Sequence, residues 1–307
     1  MYLKYYLEQL DYNNIPEFLK KYLQVPSLLR LKKIGYFCGM DYASKDIYNF
    51  REYISRYDHS LTVSLIVYKL TEDKVATLAG LFHDIATPCF SHVIDYMNQD
   101  YEKQESTEEY TEQVLKNDVL LQTYLKNDNI NIDDIINFKK YSIVDNDRPK
   151  VCADRIDGVI LTGIGWTENI SLNEINSIVK DMQIYTNEYG ENEIGFQTKS
   201  IAEKVLYVSE TIDKYCHSKE DNYMMELLAK ITNIAINKNY ITYEQLYIFD
   251  EEEIFLLLKS KNDKIINDLI FEFENAKAID LKDLDLPKVK ARQLNPIVNG
   301  KRINILI

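Results

Sequence analysis

Residues 56–92 of the chain read RYDHSLTVSLIVYKLTEDKVATLAGLFHDIATPCFSH, and this stretch decides the fold. From His59 to Leu70 the apolar residues recur at helical spacing, which predicts a buried helix. A second apolar helix is predicted from Glu72 to His83, and it ends at an adjacent His-Asp pair. Three of the chain's 4 histidines lie in this stretch. Because facing helices can bring side chains to one point inside a bundle, we expect a mainly α-helical protein with a site between helices.

Four side chains form a candidate metal site: His59, His83, Asp84 and, further along the chain, Asp154. A single histidine on an apolar helix face is more often a core residue than a ligand. A buried carboxylate, however, is costly without a partner, and a metal ion supplies one. Two imidazoles and two carboxylates suit Mn, Fe or a similar ion better than a closed zinc site. With positions left open, such an ion activates water and polarises a phosphoryl oxygen, which indicates hydrolysis of a phosphate ester or anhydride.

The composition narrows the class of protein and of partner. The 307 residues are 46% hydrophobic, which is enough for a large core, and 36 Lys+Arg against 49 Asp+Glu give a net charge of -13. Binding to duplex nucleic acid relies on accumulated basic residues, so a small anionic substrate is favoured. No apolar run reaches the roughly 20 residues of a membrane helix, and the first residues do not form a signal peptide. Without a CxxC pair, the cysteines predict reduced thiols in a cytoplasmic protein: Cys38, Cys89, Cys152 and Cys216.

The rest of the chain predicts two parts, a helical domain over residues 1–238 and a small mixed α/β subdomain over 239–307. The first part carries further helical patterns, listed here by residue number: 15–35 with a new helix starting at Pro26, 91–97, 105–125, 151–162 and 198–237. In the second part Asn299-Gly300 lies between alternating apolar residues, which is a strong signal for a β-hairpin. The acidic run Asp250–Glu253 is typical of the solvated start of a helix.

Four segments carry a resemblance to a known family: Arg56-Tyr57-Asp58-His59-Ser60, His83–His92, Ala153-Asp154-Arg155-Ile156-Asp157 and the basic stretch Val25–Ile34. Together they resemble the HD-domain superfamily of metal-dependent phosphohydrolases, and within it the dNTP triphosphohydrolase (dGTPase-type) branch. The resemblance covers about residues 20 to 235. It implies a helical HD-domain bundle, a nucleotide substrate and attack of a metal-activated hydroxide on phosphorus. It also favours a homo-oligomer.

The resemblance also implies roles for individual residues. One divalent ion (Mn, Fe, Ni, Co or Mg, with zinc as a further candidate) would be held by the metal ligands His59, His83, Asp84 and Asp154. The implied catalytic residues are His92, Asp95, Glu105 and Arg56, and the implied substrate-binding residues are Arg56, Arg155, Tyr215 and His217. His92 and Asp95 are spaced i, i+3 on one helix, so they can form an oriented imidazole–carboxylate pair.

Two positions depart from the branch pattern, because Thr87 and Gln104 stand where it has histidines that act as general acid or orient the leaving group. Loss of a general acid costs about 10²–10⁴-fold in rate. Three hypotheses therefore stay open: a phosphohydrolase in which His92 or Glu105 takes over the acid role, a nucleotide-binding regulatory protein with weak or no turnover, and cleavage of a nucleic-acid end. The net charge disfavours the last.

Overall fold

The computed structural model describes residues 1–102, 106–281 and 289–303. The chain is mostly helical, as predicted, and carries a small sheet. The helices are α1 Tyr2–Gln9, α2 Glu17–Tyr22, α3 Pro26–Arg30, α4 Arg56–Thr71, α5 Lys74–Phe82, α6 Val93–Met97, α7 Thr111–Asn117, α8 Val119–Asn127, α9 Ile132–Ile136, α10 Ala153–Gly165, α11 Leu172–Asp181, α12 Lys199–Cys216, α13 Lys219–Asn237, α14 Glu251–Ser260 and α15 Lys264–Asn275. The strands are β1 Met182–Thr186, β2 Asn192–Phe196, β3 Ile297–Val298 and β4 Lys301–Arg302. In the described part of the chain, no helix has both the length and the apolarity to cross a membrane.

Helices α4 and α5 correspond to the two helices that the sequence predicts, and they pack against each other. The start of α4 is fixed by a capping box, in which Asp58 N–H donates to Ser55 Oγ and Ser55 N–H donates to the Asp58 carboxylate. The helix ends at Glu72, whose φ of 53° is left-handed, and Asp73 then caps α5. Most of α4 is buried on all sides, so it is a central helix of the bundle and His59 lies inside the protein.

Helix α10 packs against α4, and its first turn carries Asp154, the last of the predicted ligands. The two ends of α10 meet different neighbours. At its start, Ala153 N–H donates to Ile143 O. At its end, a Cβ on Gly165 would lie 2.8 Å from Phe37 Cζ, so glycine permits the close contact there. The helix is therefore held in one position beside α4.

The four-stranded sheet joins parts of the chain that the sequence analysis assigned to different domains. Its order is β1-β2-β3-β4, with β2 and β3 parallel and the other pairs antiparallel. The predicted hairpin at Asn299-Gly300 is present, and both residues have positive φ (48° and 81°), as its tight turn requires. Strands β1 and β2 were not predicted. The domain boundary at residue 238 stays a prediction, and the sheet takes two strands from each side of it.

Two of the predicted helical stretches are divided, and in both a capping side chain causes the break. Within 105–125, Asp118 accepts Leu121 N–H and so ends α7 and starts α8. Within 198–237, Ser218 caps α13 after α12 ends at Cys216. Short polar side chains favour such caps because they replace helical backbone hydrogen bonds. Gln104 and the candidate acid Glu105 lie outside the described residues.

The acidic run that the sequence predicts as a helix start does begin α14, and Asp250 forms its capping box. The expectation that the run is solvated is wrong for two of its members, because Glu251 is 0% and Asp250 4% exposed. Burial, followed by the nearby Asp41 carboxylate, raises the pKa of Glu251 to about 8. Glu251 therefore lies in the protein interior rather than on a solvated face.

Candidate metal centre

The four predicted metal ligands come together from three helices. His59 lies in α4, His83 and Asp84 directly follow α5, and Asp154 lies in α10. His59 Nε2 is 3.1 Å from Asp154 Oδ1 and 3.8 Å from Asp84 Oδ2. His83 Nε2 is 3.6 Å from Asp154 Oδ1 and 3.7 Å from Asp84 Oδ1. Ligand atoms that lie 2.0–2.2 Å from one ion are about 3–3.5 Å apart, so these spacings suit a single divalent ion.

Both imidazoles are held so that Nε2 faces the cluster. His59 Nδ1 lies 2.7 Å from Asp157 Oδ2, and Tyr6 Oη donates to Asp157 Oδ1 at 2.6 Å. His83 Nδ1 lies 2.8 Å from Gly80 O. In each case a proton on Nδ1 leaves the Nε2 lone pair for a metal, which is how metal-binding histidines are usually oriented.

One buried atom is left without a partner at this point. His83 Nε2 is buried and has no hydrogen bond to any described residue. A buried polar atom without a partner is costly, and a metal ion would give it one. His59, His83 and Asp154 together offer three ligand atoms within 4.8 Å of one another. The residues present therefore fit a divalent metal.

Comparisons with known proteins agree with this geometry. The HD domain family model matches residues 56–159. This match supports the HD superfamily, in which a metal-dependent hydrolase is the expected activity. The uncharacterized protein YdhJ of Bacillus subtilis (strain 168) is similar, with 25% identity over 222 residues. The aligned part is 70% of this chain and 64% of YdhJ, so it spans less than two thirds of that relative. The dGTPase-type branch stays a prediction.

The charges of the candidate metal centre stabilise one another strongly. Burial opposes a charged His83, but Asp84 and Asp154 outweigh it and raise the pKa of His83 to about 10. Although burial also acts against a charged Asp154, both histidines hold the pKa of this carboxyl well below its usual range. Carboxylates that favour a proton on imidazole also favour a metal cation in its place. Protons and metal therefore compete for these ligands.

Arg56 lies next to the candidate metal centre, where the resemblance places a phosphate-binding arginine. Its Nη1 donates to Asp84 Oδ2 at 2.9 Å and its Nε donates to Ser91 Oγ at 3.1 Å. Its guanidinium lies over the Tyr36 ring, 4.9 Å from the centroid. Although burial acts against the charge, Asp84 and other neighbours raise the pKa of Arg56. The side chain is thus a permanent, positioned cation, and its contact with substrate stays a prediction.

The predicted imidazole–carboxylate pair is formed. His92 Nδ1 is 2.8 Å from Asp95 Oδ2, and Asp95, which is 0% exposed, also accepts Ser106 N–H. His92 lines the cavity and Asp95 does not. Asp95 is therefore placed to position His92 rather than to touch substrate. Burial lowers the pKa of His92, so the free imidazole is neutral at neutral pH. A catalytic role of the pair stays a prediction.

Three other predicted site residues have different surroundings. Arg155 lines the cavity, but its Nη2 forms an ion pair with Asp145 at 3.0 Å. Tyr215 and His217 are exposed at the end of α12, and neither lines the cavity. Tyr215 packs edge-on against Trp166 instead, with ring centroids 5.5 Å apart. Substrate contacts by Arg155, Tyr215 and His217 stay predictions. The cavity does not support those of Tyr215 and His217, because neither residue lines it.

The candidate metal centre opens into a cavity of about 250 Å³. Sequence reasoning missed three basic residues in its wall: Arg148, Lys290 and Arg292. It also missed Asp157 as the partner of His59. Two signals could have found them. Asp157 lies one helical turn after Asp154, so both share a face of α10. Basic residues at 288, 290 and 292 form a local cluster in an otherwise acidic chain.

Proposed function

We propose that this protein is a metal-dependent phosphohydrolase that cleaves a phosphate ester or anhydride bond of a nucleotide. One observation carries the proposal. The four ligands His59, His83, Asp84 and Asp154 face the same cavity as the cation Arg56. A metal ion and an arginine side by side are what a phosphate group needs, because both stabilise charge on its oxygens. The resemblance to the dNTP triphosphohydrolases supports the nucleotide substrate.

The metal, when bound by these ligands, would supply an activated water and polarise the phosphoryl oxygen. The chain's own residues prepare the site for it. Asp157 and Gly80 O fix which nitrogen of each histidine carries the proton. Arg56 uses Nη1 and Nε for Asp84 and Ser91, and its Nη2 remains for a phosphate oxygen.

His92 is the proposed proton donor to the leaving oxygen. Unlike the candidate metal ligand His59, it is not directed at the metal centre, and its ring is oriented by a buried carboxylate, Asp95. Its pKa is lowered by burial in the free protein. A bound phosphate beside it would raise that pKa, because a nearby negative charge favours the imidazolium. The proton would then be available in the substrate complex.

A second function is favoured by one specific observation, the surroundings of Thr87. Its Oγ donates to Asp84 O at 2.8 Å, and the residue is 2% exposed. The Thr87 hydroxyl therefore stabilises the turn after α5, and its proton is not available to a substrate. The absence of a proton donor at position 87 agrees with a regulatory protein that binds a nucleotide at the candidate metal centre and turns it over slowly.

A turnover screen separates the two functions. The metal-stripped chain is given Mn, Mg, Co, Ni or Fe(II) and a panel of dNTPs, NTPs and nucleoside monophosphates, and products are resolved by chromatography. Asp154→Asn is the test variant, and Asp280→Asn, an exposed carboxylate outside the cavity, is its control. Metal-dependent release of phosphate or a phosphate chain, lost only in Asp154→Asn, supports the enzyme. Tight nucleotide binding without products supports the regulatory protein.

A further inference from the structure

Tyr36 is a residue of the cavity wall whose hydroxyl the fold does not use. Within the described ranges the Tyr36 hydroxyl forms no hydrogen bond, and the side chain makes ring contacts only. The other two tyrosines of the described wall differ in this respect. Tyr48 Oη donates to Asp221 at 2.7 Å, and Tyr96 Oη donates to Asn222 at 3.0 Å. A hydroxyl proton that no protein group accepts is available to a ligand in the cavity.

The backbone holds Tyr36 beside Arg56, the proposed phosphate-binding cation. Tyr36 N–H donates to Ile54 O at 2.9 Å. Arg56 N–H, at the first residue of α4, donates to Ile34 O at 2.8 Å. The two hydrogen bonds join the segment that carries Tyr36 to the segment that enters α4. The position of Tyr36 next to Arg56 is therefore fixed by the main chain and does not depend on side-chain contacts alone.

The ring of Tyr36 lies against the candidate metal centre, and its hydroxyl reaches α10. The ring centroid is 5.1 Å from that of His59, and the Arg56 guanidinium lies 4.9 Å from it. On α10, a Cβ at Gly158 would lie 3.0 Å from Tyr36 Oη, and no other described side chain apart from its chain neighbours would lie within 4 Å. Gly158 follows the ligand Asp154 by about one helical turn. The hydroxyl therefore lies beside the two helices that carry His59 and Asp154, in a space that glycine leaves open.

We infer that Tyr36 is a further catalytic residue, whose hydroxyl donates a hydrogen bond to an oxygen of the phosphoryl group that is cleaved. The inference rests on the proposed function and adds a donor to it. At neutral pH a tyrosine hydroxyl is protonated and can donate. A donor that is fixed before the substrate binds stabilises charge on the transition state without reorganisation. The hydroxyl keeps its proton throughout, and His92 remains the proposed donor of a proton to the leaving oxygen.

Tyr36→Phe tests the role of the hydroxyl, because it keeps the ring and its contacts with Arg56 and His59. The Mn²⁺-loaded chain is titrated with inorganic phosphate in a calorimeter, and kcat/KM is measured on the nucleotide that the turnover screen identifies. Both the phosphate affinity and kcat/KM should fall by about 10- to 100-fold, the loss expected for a hydrogen bond to a charged group. Mn²⁺ affinity and thermal unfolding should not change. Tyr96→Phe is the matched control and should leave phosphate affinity unchanged, since the wall hydroxyl that it removes already donates to Asn222.

Gly158→Ala tests the position of the hydroxyl. Alanine favours a helix more than glycine does, so α10 should not be destabilised. The added Cβ would lie 3.0 Å from Tyr36 Oη, however, and the hydroxyl would have to move. Gly158→Ala should therefore weaken phosphate binding in the unaltered chain and have no effect in the Tyr36→Phe background, which lacks the crowded oxygen. Equal effects in the two backgrounds would contradict the inference.

The possible outcomes separate the role of Tyr36 from the proposed function. If Tyr36→Phe has the phosphate affinity and the kcat/KM of the unaltered chain, the role of Tyr36 is overturned and the proposed function stands. If the unaltered Mn²⁺-loaded chain neither binds phosphate nor turns over any nucleotide, both are overturned. If it binds phosphate without turnover, the phosphate affinities of Tyr36→Phe and Gly158→Ala decide the role of Tyr36.

Discussion

Replacing Asp157 by asparagine tests whether the metal centre depends on the orientation of His59. Asp157 is 0% exposed and accepts two hydrogen bonds, from His59 Nδ1 and Tyr6 Oη. Asparagine has nearly the same shape but a single oxygen. It can therefore accept from His59 or from Tyr6, and its amide nitrogen faces the other group. The fold stays close to native, while the hydrogen bond that orients His59 is weakened or lost.

The expected size of the effect follows from which way the amide faces. With its oxygen towards His59, the ring keeps its tautomer but loses a charged partner, and loss of such a partner costs about 10- to 100-fold in metal affinity, or about 1.4–2.7 kcal/mol. With its nitrogen towards His59, the ring proton moves to Nε2, which blocks the lone pair that faces Asp154 and Asp84. The loss is then larger. A reduction of at least about 10-fold is expected in either case.

Isothermal titration of the metal-stripped protein with Mn²⁺ measures this loss. Asp95→Asn is the matched control, because Asp95 is also a fully buried carboxylate that orients a histidine, His92. Asp95→Asn should bind the metal normally and lose turnover, whereas Asp157→Asn should lose both. Equal metal affinity of Asp157→Asn and the unaltered protein would refute the assigned role of Asp157.

Three further predictions concern the acid role, the buried acidic residue and the terminal hairpin. His92→Gln should lower kcat by about 10²–10⁴-fold at unchanged metal content, and an unaltered kcat would exclude His92 as the acid. Burial raises the pKa of Glu251 from its ordinary value of 4.5 to about 8, so the folded state loses stability as pH rises between these values, by up to about 5 kcal/mol. Glu251→Gln should flatten this slope in thermal unfolding between pH 5 and pH 8.5, and an identical slope would contradict it. Arg302→Ala leaves the 0% exposed Glu193 carboxylate without its cation, which should cost about 3–5 kcal/mol of stability, and Glu193→Gln should restore part of it.

The sequence was sufficient to predict the helices that position the candidate metal ligands. Helices α4 and α5 could be predicted from the spacing of apolar residues and from polar capping residues, because both signals act locally. His83 and Asp84 could be singled out as candidate ligands because a buried carboxylate beside a histidine at the end of an apolar helix requires a partner. The terminal hairpin could be predicted for a similar reason, since Asn-Gly favours the positive φ values of its turn.

Features that depend on tertiary contacts could not be predicted from local patterns. Strand β1 is only partly buried, with Met182 inside and Gln183 and Thr186 exposed, so it lacks a continuous apolar signal. Arg148 and Lys290 share a cavity wall although more than a hundred residues separate them in the sequence. His217 directly follows α12, which ends at Cys216, and it does not line the cavity, so its substrate contact stays a prediction that the cavity does not support.

The metal content of His83→Ala tests the central claim most directly, namely that His59, His83, Asp84 and Asp154 hold one divalent ion. Both proteins are stripped, incubated with Mn²⁺, freed of unbound metal and measured by elemental mass spectrometry, with Asp280→Asn as control. We expect one ion per chain in the unaltered protein and in the control, and close to none in His83→Ala. Equal metal content in His83→Ala and the unaltered protein would contradict it.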